Sequence, residues 1–135
     1  MKIQIAATVF ADGFLSPISH RISMRFLPSK CSISKLRRSA DMLLSKDESV
    51  ISLLNQKQNN ASITYFAEST PDMLDLIKTL LLYRLIDELY ICVLPEKKGY
   101  GIRLLDPNLL SEWTLVRKHA LFGKEQYLIY HREKV

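Results

Sequence analysis

The sequence is short of the residues on which several kinds of site are built. It carries two cysteines, four glycines and one tryptophan in 135 residues. Cys31 and Cys92 make neither a disulfide framework nor a zinc site. Cys92 lies inside the apolar run Leu89-Tyr90-Ile91-Cys92-Val93-Leu94 and reads as a buried thiol. The glycines, at 13, 99, 101 and 123, form no phosphate-binding loop. His20, His119 and His131 are far apart and have no partners at metal-ligand spacing, so no metal is expected. No serine sits in a nucleophile elbow. No uninterrupted apolar run reaches the ~18 residues of a membrane helix. The greasiest stretch, Leu74 to Pro95, is broken by Asp75, Lys78, Arg84, Asp87 and Glu88. Met1-Lys2 passes straight into alternating residues with no signal-peptide pattern, which makes the cytoplasm the expected location.

What is present is an ordinary globular composition, 47% hydrophobic and 24% charged, enough to bury a core in one domain spanning 1–135. The net charge of +5 raises the question of nucleic acid. Lys35-Arg37-Arg38, Lys97-Lys98, Arg117-Lys118 and Arg132-Lys134 fall on different elements, most with acids nearby and with no aromatic platform between them. A solvated surface is the better reading than a phosphate-tracking face.

Periodicity places the elements. Ile3, Ile5, Ala7 and Val9 alternate in a strand that ends at the turn dipeptide Asp12-Gly13. Residues 21–26 alternate between Pro17 and Pro28, as a short edge strand or an extended loop. Ser32 or Ser34 caps a helix with Ile33, Leu36 and Ala40 inward, and 41–44 continues it or begins a strand. Asp47 opens a second helix with Val50, Ile51 and Leu54 inward. Residues 62–66 have strand composition. Ser69-Thr70-Pro71-Asp72 then starts a helix: hydroxyl cap, proline in the first turn, then an acid. Its apolar face is Met73, Leu74, Ile77, Leu80 and Leu81, running to about Arg84. Residues 89–94 are apolar on both faces, as in a covered central strand. Residues 113–122 and 126–132 flank Gly123-Lys124 as a hairpin. The sum is an α/β fold, a mixed sheet flanked by helices on both faces with a C-terminal antiparallel hairpin.

Several stretches, in order, resemble the dihydrofolate-reductase-like family, in particular the reductase domain of bacterial riboflavin-biosynthesis deaminase/reductases and its small stand-alone relatives. They are the first strand with Asp12-Gly13-Phe14-Leu15, the segment from Leu36 to Leu44, Leu85-Ile86-Asp87-Glu88-Leu89 leading to Pro95, Gly99-Tyr100-Gly101-Ile102-Arg103-Leu104, and the terminal hairpin. The resemblance implies hydride transfer from NADPH to a pteridine- or pyrimidine-like substrate and pairing as a homodimer through the C-terminal part of the sheet. It places Asp12 and Gly13 beside substrate. It places Phe10, near the nicotinamide, and Ala67, Glu68, Ser69 and Thr70, near the pyrophosphate, beside the cofactor.

The chain departs from that pattern in three places. Only Ser45 to Asn60 stands where the family holds an additional strand–helix–strand region for the adenine end of the cofactor. Adjacent family glycines, which let amides approach pyrophosphate, are replaced by Ala67-Glu68-Ser69-Thr70-Pro71. There Pro71 removes an amide, Ser69 or Thr70 can cap, and Glu68 and Asp72 supply negative charge. Each like-charge contact at ~4 Å would cost up to ~4 kcal/mol before screening. Phe10 stands where the family often has a small hydroxyl residue, either in the ring's space or in the core.

Two alternatives stay open on the residues themselves. Asp12 orders substrate, or it bonds its own turn backbone. Trp113, Tyr100, Tyr127 and Tyr130 line a pocket for a planar heterocycle, or they serve as core and dimer interface. The functional readings are an NADPH-dependent reductase, a ligand-binding descendant without NADPH, and a protein acting through its basic surface.

Overall fold

The computed structural model describes residues 1–15, 33–59, 62–97, 99–101, 112–120 and 126–132, the side chains of residues 33 and 34 excepted. The expected strand at 21–26, the capping serines, His20, Cys31 and the hairpin turn at Gly123-Lys124 lie outside these or among those side chains. In chain order the elements are β1 (Lys2–Val9), α1 (Ile33–Ser39), β2 (Met42–Leu43), α2 (Val50–Gln58) and β3 (Thr64–Glu68). They continue with α3 (Leu74–Leu82), β4 (Glu88–Val93), β5 (Trp113–Ala120) and β6 (Gln126–Arg132).

The six strands form one mixed sheet in the order β2-β3-β1-β4-β6-β5. β1 runs parallel to both neighbours, with Ile5 opposite Ala67 on β3 and Leu89 on β4. β6 pairs antiparallel with β4 and with β5. β1 has neighbours on both sides, and on its odd-numbered face Ile3, Ile5, Ala7 and Val9 are at most 4% exposed, while the other face also buries the polar Gln4 and Thr8. Odd positions of β1 face the larger core, with Tyr65, Ala67, Leu89, Ile91 and the apolar residues of α2 and α3. Even positions face a smaller cluster in which Ala6, Phe66, Tyr90, Cys92, Tyr127 and Ile129 meet Leu36 of α1. The expected fold class is therefore the observed one.

Two acids set the start of the parallel strands. Asp87 Oδ2 accepts from Ile3 N at 2.8 Å while its own amide donates to Ile3 O at 2.9 Å. Asp41 does the same to Thr64, at 2.8 Å in both directions. Each clasp docks the first turn of one strand against its neighbour and leaves one register.

Several local expectations change. The 41–44 segment is a strand, yet β2 is a two-residue edge strand with Met42 and Leu43 exposed. α2 is capped by Ser49, whose hydroxyl accepts from Ser52 N, rather than opened by Asp47. Val50, Leu53 and Leu54 turn inward at the i, i+3, i+4 spacing, and Ile51, expected inward, is 73% exposed. β5 carries a bulge between Leu115 and Arg117. Among the described residues no helix is long and apolar enough to cross a membrane.

Candidate functional site at the carboxyl edge of the sheet

In an open α/β sheet, loops at the carboxyl ends of parallel strands form the usual ligand crevice. The residues singled out in the sequence do gather there. β1 ends at Val9 and runs into a tight turn in which Gly13 N donates to Phe10 O at 2.9 Å and Phe10 N to Phe14 O at 2.8 Å. Gly13 has φ 88°, a left-handed conformation that glycine adopts without side-chain strain. Beside it β3 ends at Glu68, with Ser69 N donating to Ala6 O at 2.7 Å.

Asp12 takes a partner that neither sequence reading contained. Its Oδ2 accepts from Gly99 N at 2.8 Å, across 87 residues of chain. With Leu94 N on Val9 O and Ala11 N on Glu96 O, both 2.8 Å, this stitches the turn after β1 to the loop after β4. The carboxylate thus ties together two loops at the carboxyl edge of the sheet. Gly99 has φ 81°, and a side chain there would meet open space, so its backbone lies accessible at that edge. Phe10 is half-buried and belongs to neither core cluster, so it does not lie in the core.

The β3–α3 junction is closed by backbone rather than by hydroxyl caps. Thr70 is in the capping position but its side chain makes no capping bond. Instead Pro71–Met73 forms a 3-10 turn before α3, with Met73 N on Thr70 O at 3.0 Å and Leu74 N on Pro71 O. Thr70 N donates to Glu68 O at 3.1 Å. Ser69 is 7% exposed and its hydroxyl is buried without a hydrogen-bond partner. The reason is direction: Ser69 follows Ala67 inward as the strand ends, so its Oγ cannot reach the following amides. Glu68 is held by Arg37 of α1, which the sequence did not pair with it. At this junction the amides of Ser69, Thr70, Met73 and Leu74 are already engaged by carbonyls, which disfavours a pyrophosphate there.

The aromatic pocket is not assembled. Trp113 is in the larger core, with Tyr130 packed against it, Tyr127 is in the smaller cluster on the opposite face, and Tyr100 is exposed. His119 lies opposite Tyr127 and His131 opposite Thr114, so the two histidines do not face each other across the hairpin. Among the described residues no three side chains could hold a metal ion.

A second polar group lies at the other end of the sheet. The nearly buried Glu88 carboxylate accepts from Gln4 Nε2 at 3.2 Å and Tyr90 OH at 2.8 Å. It also meets Lys2 Nζ at 3.1 Å and His131 Nε2 at 2.9 Å. Burial pushes its pKa up, but the bonds from Tyr90, Gln4 and Lys2 outweigh that and hold it below the usual carboxylate range. Adjacent Asp87 goes the other way: burial raises it despite its bond from Ile3. The sequence offered these two acids as breaks in an apolar run and as part of the Leu85–Leu89 stretch that carries the resemblance, without their partners.

No protein-family model matches this sequence, and a search of curated protein sequences finds no match. Solved structures do match its fold. A Shewanella sp. PV-4 protein described as a riboflavin biosynthesis protein superposes with TM-score 0.67 at 14% identity, over 99% of this chain and 100% of that one. RibD of Acinetobacter baumannii gives 0.62 at 10%, over 98% of this chain, which spans 58% of that longer protein. Dihydrofolate reductase of Enterococcus faecalis, solved with NADP(H), gives 0.60 at 13%, over 98% and 97%. The fold is that of the dihydrofolate-reductase-like proteins.

Proposed function

We propose that this chain is a reductase-fold protein of riboflavin- or folate-type metabolism that binds a pteridine- or pyrimidine-like heterocycle at the carboxyl edge of its sheet and does not take NADPH at the β3–α3 junction. The observation that carries this reading is the state of the junction. Four amides are engaged by carbonyls and Glu68 is paired with Arg37. At the neighbouring edge Asp12 holds Gly99 and ties the loops after β1 and β4 together, and this is the edge where the reading seats the heterocycle. The same reading pairs two copies into a homodimer through β5, the sheet's outer strand, and places the protein in the cytoplasm.

A second reading is an NADPH-dependent reductase of such a substrate. It is favoured by the fold it shares with the dihydrofolate reductase solved with NADP(H). It requires the junction to reopen.

NADPH titration separates the two, read by thermal shift and nicotinamide fluorescence at low and physiological salt. A ligand at 100 times its Kd stabilises the native state by ~2.7 kcal/mol. The first reading expects no saturable shift at millimolar NADPH in the natural chain, and a saturable one in the Glu68→Gly/Ser69→Gly double variant. A saturable shift with a fluorescence change in the natural chain would establish the second. Pterin and pyrimidine titrations test the heterocycle, with Asp12→Asn expected to weaken binding at little cost in stability.

A further inference from the structure

At the amino end of the sheet, about 16 Å along β4 from the crevice at ~3.3 Å per residue, two arginines converge on one glutamate. Arg84 Nη2 lies 2.7 Å from Glu112 Oε1, and Arg132 Nη1 lies 3.2 Å from Glu112 Oε2. Arg132 is largely buried, with Nε donating to Ile86 O at 2.8 Å and its guanidinium stacked 4.5 Å from the centre of Trp113. Its remaining nitrogen, Nη2, is buried without a hydrogen-bond partner. A guanidinium donor left unpaired in a site of low dielectric is costly, and an anion is what satisfies it.

Arg84 is held in place at a cost of its own. It ends α3 in a left-handed cap, with Arg84 N on Leu81 O at 3.1 Å and Leu85 N on Leu80 O at 2.9 Å. Its φ is 57°, where glycine is the usual occupant, and it is the one non-glycine residue with positive φ among those described. Capping does not call for arginine there. The placement sends a guanidinium beside Arg132, while Lys57 Nζ bonds the Arg84 carbonyl at 3.2 Å. Lys57, Arg84 and Arg132 thus outnumber Asp87 and Glu112. Burial of Asp87 also opposes its ionisation.

We propose that Arg84 and Arg132 form a binding site for a phosphate monoester dianion, occupied in its absence by the Glu112 carboxylate. Glu112 brings two oxygens to three guanidinium nitrogens. A monoester phosphate brings three, enough for Arg84 Nη2 and for both Nη1 and Nη2 of Arg132, and carries about twice the charge. Glu112 is half-exposed and swings out as the phosphate enters. The site does not depend on what the carboxyl edge binds.

Trp113 is the only tryptophan in the sequence and lies against Arg132, so its fluorescence reports the exchange directly. The probes are inorganic phosphate, methyl phosphate, dimethyl phosphate and acetate, against sodium chloride at matched ionic strength. The expected result is a saturable change with inorganic and methyl phosphate, at least tenfold weaker for dimethyl phosphate and acetate. Arg84→Gly, which suits the left-handed cap and keeps the fold, weakens phosphate binding at least tenfold. Glu112→Gln tightens it several-fold by removing the competitor. A response that chloride reproduces, or unaltered affinity in Arg84→Gly, overturns the proposal.

Discussion

Glu88 illustrates how one side chain can be structurally decisive without being obvious. Its four partners come from β1, β4 and β6, and its loss leaves the buried Gln4 and Tyr90 without it while Lys2 and His131 turn to solvent. Glu88→Ala should cost about 3 kcal/mol in denaturant unfolding, the range for removing one partner of a buried ionic group. The pH dependence has a definite sign. A carboxylate whose folded pKa lies below its unfolded value of 4.5 adds stability above that value and loses it as pH falls through the folded pKa. The acid limb of stability against pH should therefore flatten in Glu88→Gln, and an unchanged limb would show that the charge contributes nothing. Residues such as this one mark the limit of sequence reading. Glu88 stood in view as a charge inside an apolar run, but its partners at positions 2, 4 and 131 become neighbours only through the sheet register. Asp12 and Gly99 are the same case, since an Asp-Gly turn announces itself locally and a bond across 87 residues does not.

Among the elements, strands were more legible than helix ends. The two-faced apolarity of 89–94 specifies a covered strand, and the alternation of 2–9 beside it leaves few arrangements open. On α2 the pattern left two overlapping apolar faces, 50/51/54 and 50/53/54, and packing on the sheet buries Leu53 and leaves Ile51 exposed. At α3 local chemistry pointed to a hydroxyl cap. The tertiary course of β3 overrode it by turning Ser69 inward, and a 3-10 turn supplied the closure. The acid clasps at Asp41 and Asp87 give this scale its prediction. Asp87→Ala removes the acceptor for Ile3 N and should cost about 1–2 kcal/mol by chemical denaturation. Asp87→Asn keeps an acceptor and removes a charge that burial disfavours, so it should be close to neutral at pH 7. Asp41→Ala, whose bond is exposed, should cost less than Asp87→Ala. Equal losses for all three would mean that the carboxylates do not set the register.

For the molecule as a whole, the sheet is protected unequally. β1 and β4 are buried along nearly their whole length, whereas β5, outermost on its side of the sheet among the described residues, exposes Leu115 and Val116. If two copies meet there, sedimentation should give twice the chain mass of 15.6 kDa, and Val116→Asp should restore a monomer with unchanged circular dichroism. A natural chain that sediments at 15.6 kDa at high concentration removes the dimer from the reading. The region between β2 and β3, 16 residues from Ser45 to Asn60, holds the single helix α2 among its described residues. The closure of the β3–α3 junction was legible in its absence of glycine, though not in the bonds that achieve it.

The position of β1 also dictates an order of events during synthesis. The strand at the heart of the sheet is made before either of its two parallel partners, which end at Glu68 and Val93. At 5–20 residues per second, the ribosome adds the intervening stretch in roughly 4–17 s. Until β3 is complete Ile3, Ile5, Ala7 and Val9 are an apolar ribbon with no ladder to join, and until β4 follows one edge of that ribbon stays unpaired. The emerging chain therefore presents its most adhesive segment longest, and its yield in the cell depends on how well that segment is shielded until β4 arrives.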